Sequence, residues 1–239
     1  NGQDMVDAMA MLQPDAMVGH WEFTFGVDRV NEIIESMNYP FLGGNVFDTE
    51  WEEPVFESTA FFEKGGIKVA VIGQHFPYTP IANPRYMMPE WSFGIRPETV
   101  QKNVNAARDA GAQIVVLLSH NGFDVDQKLA TIVTGIDVIL TGHTHDAVPQ
   151  ALKINKTLLL SSGSHGKYLG RIDLDVKGGE VVDYSSTLIP VFSDVITPDP
   201  EMSAHIGALR APYEAECNRV IGSTSGPVSY THLRAHETM

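Results

Sequence analysis

Cysteine is almost missing from this chain of 239 residues. Cys217 stands alone, which excludes an internal disulfide and a zinc cluster built on thiolates. Long apolar runs are missing too: no stretch reaches the roughly 18 residues that a membrane-spanning helix needs, so no membrane insertion is expected. Basic side chains are few, 16 against 30 acidic ones, and the formal net charge of -14 argues against a nucleic-acid backbone as the main partner. There is no initiating Met at Asn1 and no visible signal peptide, so the expected start lies inside a domain. What remains is an ordinary globular composition, 43% hydrophobic and 19% charged. The length suits one large α/β domain, at about 100 to 200 residues per domain.

Histidine carries the strongest pattern. The apolar run Val138-Ile139-Leu140-Thr141 leads into Gly142-His143-Thr144-His145. Ile114 to Leu118 leads into Ser119-His120-Asn121-Gly122, and Ala16-Met17-Val18 into Gly19-His20-Trp21-Glu22. A strand that ends near Gly can turn sharply and bring its backbone close to a neighbour. Ligands in open α/β sheets gather beyond the carboxyl ends of the strands, and imidazole is the commonest protein ligand for divalent transition metals. A single such His is more often a surface residue; three at the same topological position predict a metal site.

Periodicity predicts helices over Asp4–Leu12, Asp28–Met37, Thr99–Ala110 and Asp126–Val133. Strands are expected over Asp15–Val18, Leu42–Phe47, Val55–Phe62, Ile67–Ile72, Gln113–Leu118, Asp137–Leu140 and Thr157–Leu160, with a closing hairpin of Gly170–Val176 and Glu180–Leu188. The segment from Gln74 to Pro97, with five prolines, reads as a long loop too broken for a core element. Helices alternating with strands predict mixed sheets covered by helices. Three regions are expected: a partial catalytic domain over 1–192, a linker helix over 193–227 leading to an absent C-terminal domain, and a non-native tail over 228–239. The tail is adapter-like in sequence, and its His232 and His236 are set aside as ligands.

Taken together, Gly19-His20-Trp21-Glu22-Phe23-Thr24-Phe25-Gly26, Ser119-His120-Asn121-Gly122 and Gly142-His143-Thr144-His145 resemble the calcineurin-like metallophosphoesterases of the 5'-nucleotidase family. The resemblance covers roughly residues 1 to 225. Where that family carries Gly-Asn-His-Glu-Phe-Asp, this chain has Gly19-His20-Trp21-Glu22-Phe23-Thr24. That departure, with Pro77-Tyr78-Thr79-Pro80-Ile81-Ala82-Asn83-Pro84 and Gly163-Ser164-His165-Gly166-Lys167-Tyr168-Leu169-Gly170, is similar to the thiosulfohydrolases of the bacterial sulfur-oxidising Sox system.

The resemblance implies a four-layer αββα metallophosphatase sandwich, shortened at its N-terminus, holding two divalent ions, usually Mn2+. It implies His20, His120 and His143 on one ion and His145 on the other, the remaining family ligands lying before Asn1. It implies a periplasmic hydrolase releasing sulfate from a cysteine S-sulfonate on a sulfur-carrier protein, through ions about 3.5 to 4 Å apart. Trp21 then takes the place of a proton donor that a sulfur leaving group does not need, and walls the site; core packing is the other reading of Trp21. His165 is expected at the rim, on substrate oxygens, with ordinary loop hydrogen bonding as its other reading, and His75 is expected to be structural. The alternatives are a 5'-nucleotidase-like phosphate-ester hydrolase, or a fragment inactive for want of the upstream ligands.

Overall fold

The computed structural model describes residues 2–226. They form two compact units that divide between Thr197 and Pro198. The first runs through α1 (Gln3–Leu12), α2 (Val27–Ser36), β1 (Val46–Asp48), β2 (Thr59–Lys64), β3 (Ile67–Gln74), α3 (Thr79–Ala82), β4 (Trp91–Phe93), α4 (Pro97–Asp109), β5 (Ile114–Ser119), α5 (Phe123–Ile132), β6 (Val138–Thr141), β7 (Leu152–Ile154), β8 (Thr157–Ser161), β9 (Tyr168–Lys177) and β10 (Glu180–Pro190). The second holds α6 (Pro200–Arg210) and α7 (Glu214–Cys217). The expected tail at 228–239, with His232 and His236, lies outside the described residues. Among the described residues no helix is long and apolar enough to cross a membrane.

The architecture is mixed α/β. A six-stranded sheet in the order β2-β3-β5-β6-β8-β7 has a parallel centre, with antiparallel strands at both edges. Its central strands are near-continuous apolar runs because both faces are covered. Val100, Val104 and Ala107 of α4 and Leu129 and Ala130 of α5 bury against Ile72, Val115, Leu117, Ile139 and Leu159. The strands β9 and β10 form a separate antiparallel hairpin, and β1 pairs with β4 in another two-stranded sheet.

Register does the positioning. Gln74 of β3, Ser119 of β5, Thr141 of β6 and Ser161 of β8 pair in turn across the sheet. The polar ends of four apolar strands therefore line one edge, and His75, His120 and Gly142-His143 follow directly from it.

Sequence and structure part company in the aromatic segments. The expected strand Asp15–Val18 is a single bridge from Met17 to Phe41, and Leu42–Phe47 shortens to β1. Gly43 and Gly44 donate their N–H groups to Glu57 O and Gly73 O instead. The Gln74–Pro97 segment is no peripheral loop. Its Phe76, Met88 and Trp91 are 5%, 0% and 6% exposed, and the last two join Phe23, Val30, Phe41 and Val46 in a second core. Strands β4 and β7 are absent from the sequence-based expectation, being too short to show periodicity.

Candidate metal centre

Three imidazoles meet at the carboxyl edge of the sheet. His120 follows β5, His143 follows β6 after the turn at Gly142, and His20 comes from the loop between α1 and α2. One ligand atom from each lies within 4.8 Å of the others. Ring centroids are 4.6 Å apart for His20 and His120, 5.0 Å for His20 and His143, and 5.5 Å for His120 and His143. Gly142 permits the approach, since a Cβ there would stand 3.2 Å from His120 Nδ1.

Buried nitrogen without a partner is costly unless something binds it. His20 Nε2, His120 Nε2 and His143 Nδ1 are all buried and unpartnered. Burial, helped by the neighbouring imidazoles, lowers the pKa of His20 to about 4 and of His120 to about 3; burial and then His145 lower that of His143. Neutral, clustered, unsatisfied imidazoles are the state in which a divalent cation is bound. The donor set fits a borderline or hard divalent ion and contains no thiolate.

The three rings are held by different means. Phe76 stacks on His143 with centroids 4.0 Å apart at 25°, and stands edge-on to His20 at 4.9 Å. The His20 loop is fixed from below: Gly19 N–H donates to Nδ1 of fully buried His75 at 2.7 Å, and Thr79 Oγ1 lies within hydrogen-bonding distance of His20 O at 3.1 Å. His75 is stacked on Phe41 at 4.6 Å and its own backbone is bracketed by Asn45. Its pKa falls to about 3 through burial and then through His120. His75 thus accepts a hydrogen bond as a neutral ring. A side chain at Gly19 would collide with Phe41 and Phe23, so the loop descends onto the aromatic core only with Gly there.

Trp21 leans on His20, centroids 4.6 Å apart, with its indole 48% exposed, so it lies at the surface and not in a core. Thr24 Oγ1 donates to Trp21 O at 2.7 Å. His145 stands outside the group of three, exposed, and faces exposed His165 at 5.4 Å. His143, His145 and His165 have φ of 81°, 62° and 59°, a left-handed backbone that non-glycine residues seldom adopt away from functional loops. The packing role of Phe76 escapes a reading of the sequence, whereas His75, expected to be structural, is the buried acceptor that anchors Gly19. The available signal is their place, directly after the fourth strand end of the same edge.

No protein-family model matches the chain. Among solved structures it is similar to the sulfate thiohydrolase SoxB of Thermus thermophilus, with 33% identity and a TM-score of 0.86 over 90% of this chain and 40% of that one. It is similar also to a 5'-nucleotidase precursor from Thermus thermophilus, with 25% identity and a TM-score of 0.81 over 92% of this chain and 47% of that one. Among curated proteins, an uncharacterised metallophosphoesterase of Bacillus subtilis, YunD, is 29% identical over 73% of this chain and 38% of its own length. The chain spans between 36% and 48% of the length of the curated relatives it matches. The fold is that of the calcineurin-like metallophosphoesterases and 5'-nucleotidases.

Proposed function

We propose that the whole protein is a dinuclear-metal hydrolase of the periplasm that releases sulfate from a cysteine S-sulfonate (thiosulfonate) borne by a sulfur-carrier protein. One observation carries this choice of substrate within the family. An indole, not a proton donor, stands beside the His20 ring, and the neighbouring Thr24 hydroxyl is already engaged on Trp21 O.

The alcohol of a phosphate ester leaves as an alkoxide, and its departure gains about 10²- to 10⁴-fold from a positioned acid. A thiol ionises at about pH 8.5. A sulfur leaving group therefore departs as an anion unaided. In the hydrolysis, water oxygen bonds to the terminal sulfonate sulfur, the bond from that sulfur to the carrier's sulfur breaks with its electron pair leaving on the carrier's sulfur, and the two water protons are lost, one of them free to return to the thiolate. Divalent ions, manganese in this reading, supply Lewis-acid charge and water activation when bound. His20, His120 and His143 hold one ion, and His145 the second. Phe76 keeps the His143 ring turned toward the site. Trp21 screens His20 from solvent and offers an apolar face to the incoming arm. His165, beside His145, contacts substrate oxygens at the rim.

Phosphate-ester hydrolysis is the competing reading, favoured by the nucleotidase relatives. Assay of the full-length protein decides. We expect sulfate release from a thiosulfonate-bearing carrier peptide and, with nucleotide substrates, phosphate release weaker by about 10²-fold or more, the size of a missing acid. The double variant Trp21→His, Thr24→Asp should gain nucleotidase activity. A wild type that prefers nucleotides overturns the assignment.

A further inference from the structure

Asp126 has no part in the hydrolysis above, yet it is fully buried beneath the site. It sits in the first turns of α5, and its carboxylate accepts three side-chain hydrogen bonds. Ser119 Oγ donates to Oδ1 at 2.9 Å and Asn121 Nδ2 to the same oxygen at 3.0 Å, while Thr141 Oγ1 donates to Oδ2 at 2.5 Å. All three donors are themselves at most 8% exposed.

The donors are not scattered. Ser119 is the last residue of β5 and Thr141 the last of β6, and the two are paired in register. His120 follows Ser119, Asn121 follows His120, and His143 lies two residues beyond Thr141. One carboxylate thus ties together the roots of two imidazole-bearing turns. Burying a carboxylate opposes folding, and burial pushes this one up to about 6 against the pull of its three donors. An apolar residue would fill the same space without that cost, as Leu129 and Ala130 do on the same helix face. Little slack exists above it, where a Cβ at Gly142 would stand 3.2 Å from His120 Nδ1 and press on that ring.

Resting on the metal-centre reading, we infer that Asp126 is a positioning residue: it clamps the ends of β5 and β6 so that the His120 and His143 rings converge. Outer residues that orient metal ligands typically account for about ten- to hundredfold in affinity.

The experiment uses the full chain and two readouts. One is the set of ring-proton NOEs among His20, His120 and His143 without metal; the other is Mn2+ affinity by calorimetry. In Asp126→Asn, which places an amide against three donors, the NOEs should weaken and affinity should fall about ten- to hundredfold. Thr141→Val should move both the same way by less. A variant that melts earlier but keeps wild-type NOEs and affinity overturns the inference and leaves a structural role only. Should Asp126→Asn fail to fold, unchanged NOEs and affinity in Thr141→Val and Ser119→Ala overturn it equally. A wild type that binds no Mn2+, yet loses its NOEs on Asp126→Asn, retains the clamp and removes the metal reading.

Discussion

The two walls of the site stand on different kinds of core. His120 and His143 rise from parallel strands packed in aliphatic side chains, Val115, Leu117, Ile139 and Leu159 among them. His20 rises from a loop laid over aromatic rings, Phe23, Phe41 and Phe56, gathered round His75. The first wall is fixed by backbone register, which a sheet specifies residue by residue. The second is fixed by ring packing and a single buried hydrogen bond, from Gly19 to His75. A convergent site can therefore be half template and half jigsaw.

The largest effects should come from the cores themselves. Phe23→Ala should cost about 3–5 kcal/mol and Leu159→Ala about 2–5 kcal/mol in denaturant unfolding. The contrast sharpens if metal is then added: the Phe23 variant should lose affinity through His20, and the Leu159 variant through the strand ends. Equal stabilities but no change in affinity for either would separate the cores from the site.

Ligand removal comes next. Replacing His120 or His143 by Ala should weaken Mn2+ binding beyond the roughly hundredfold ceiling of outer-residue changes, as followed by calorimetry. His20→Ala should do the same. If His20→Ala bound as wild type, the loop wall would be a cover and not a ligand.

Acid gives the mildest effect. Burial holds folded His75 and His120 at about 3 and His20 at about 4, below the ordinary 6.5. The unfolded chain then binds more protons across that interval, so stability is fully present above about pH 6.5 and declines as pH falls toward 4. Asp126 opposes this: held at about 6 against 3.8, it takes stability away as pH rises between those values. Three imidazoles outweigh one carboxylate, and thermal melts of the metal-free chain should fall from about pH 7 to about pH 5. An unchanged midpoint would contradict the buried, neutral state of the rings.

How much of this was legible follows the same division. The strand wall could be read directly, because Ile114–Leu118 and Val138–Thr141 are runs that end at histidines with Gly next to or near them. The aromatic wall could not. Phe76, Met88 and Trp91 lie among prolines with no helical or strand period, and nothing local distinguishes a loop that packs from one that does not. Asp126 left a faint trace: it falls in phase with Leu129, Ala130 and Val133, an acid on an apolar helix face. Nothing local showed that the segment leading into the His20 turn is not a strand, since Ala16-Met17-Val18 has strand propensity but only Met17 finds a bridge partner.

The central claim is that imidazoles from both walls share one cation. Pulsed EPR of Mn2+ bound to the chain labelled with 15N-histidine tests it directly. We predict nitrogen hyperfine couplings that diminish separately on removing His20, His120 and His143. An ion held without imidazole coupling, or no ion held at all, would contradict it.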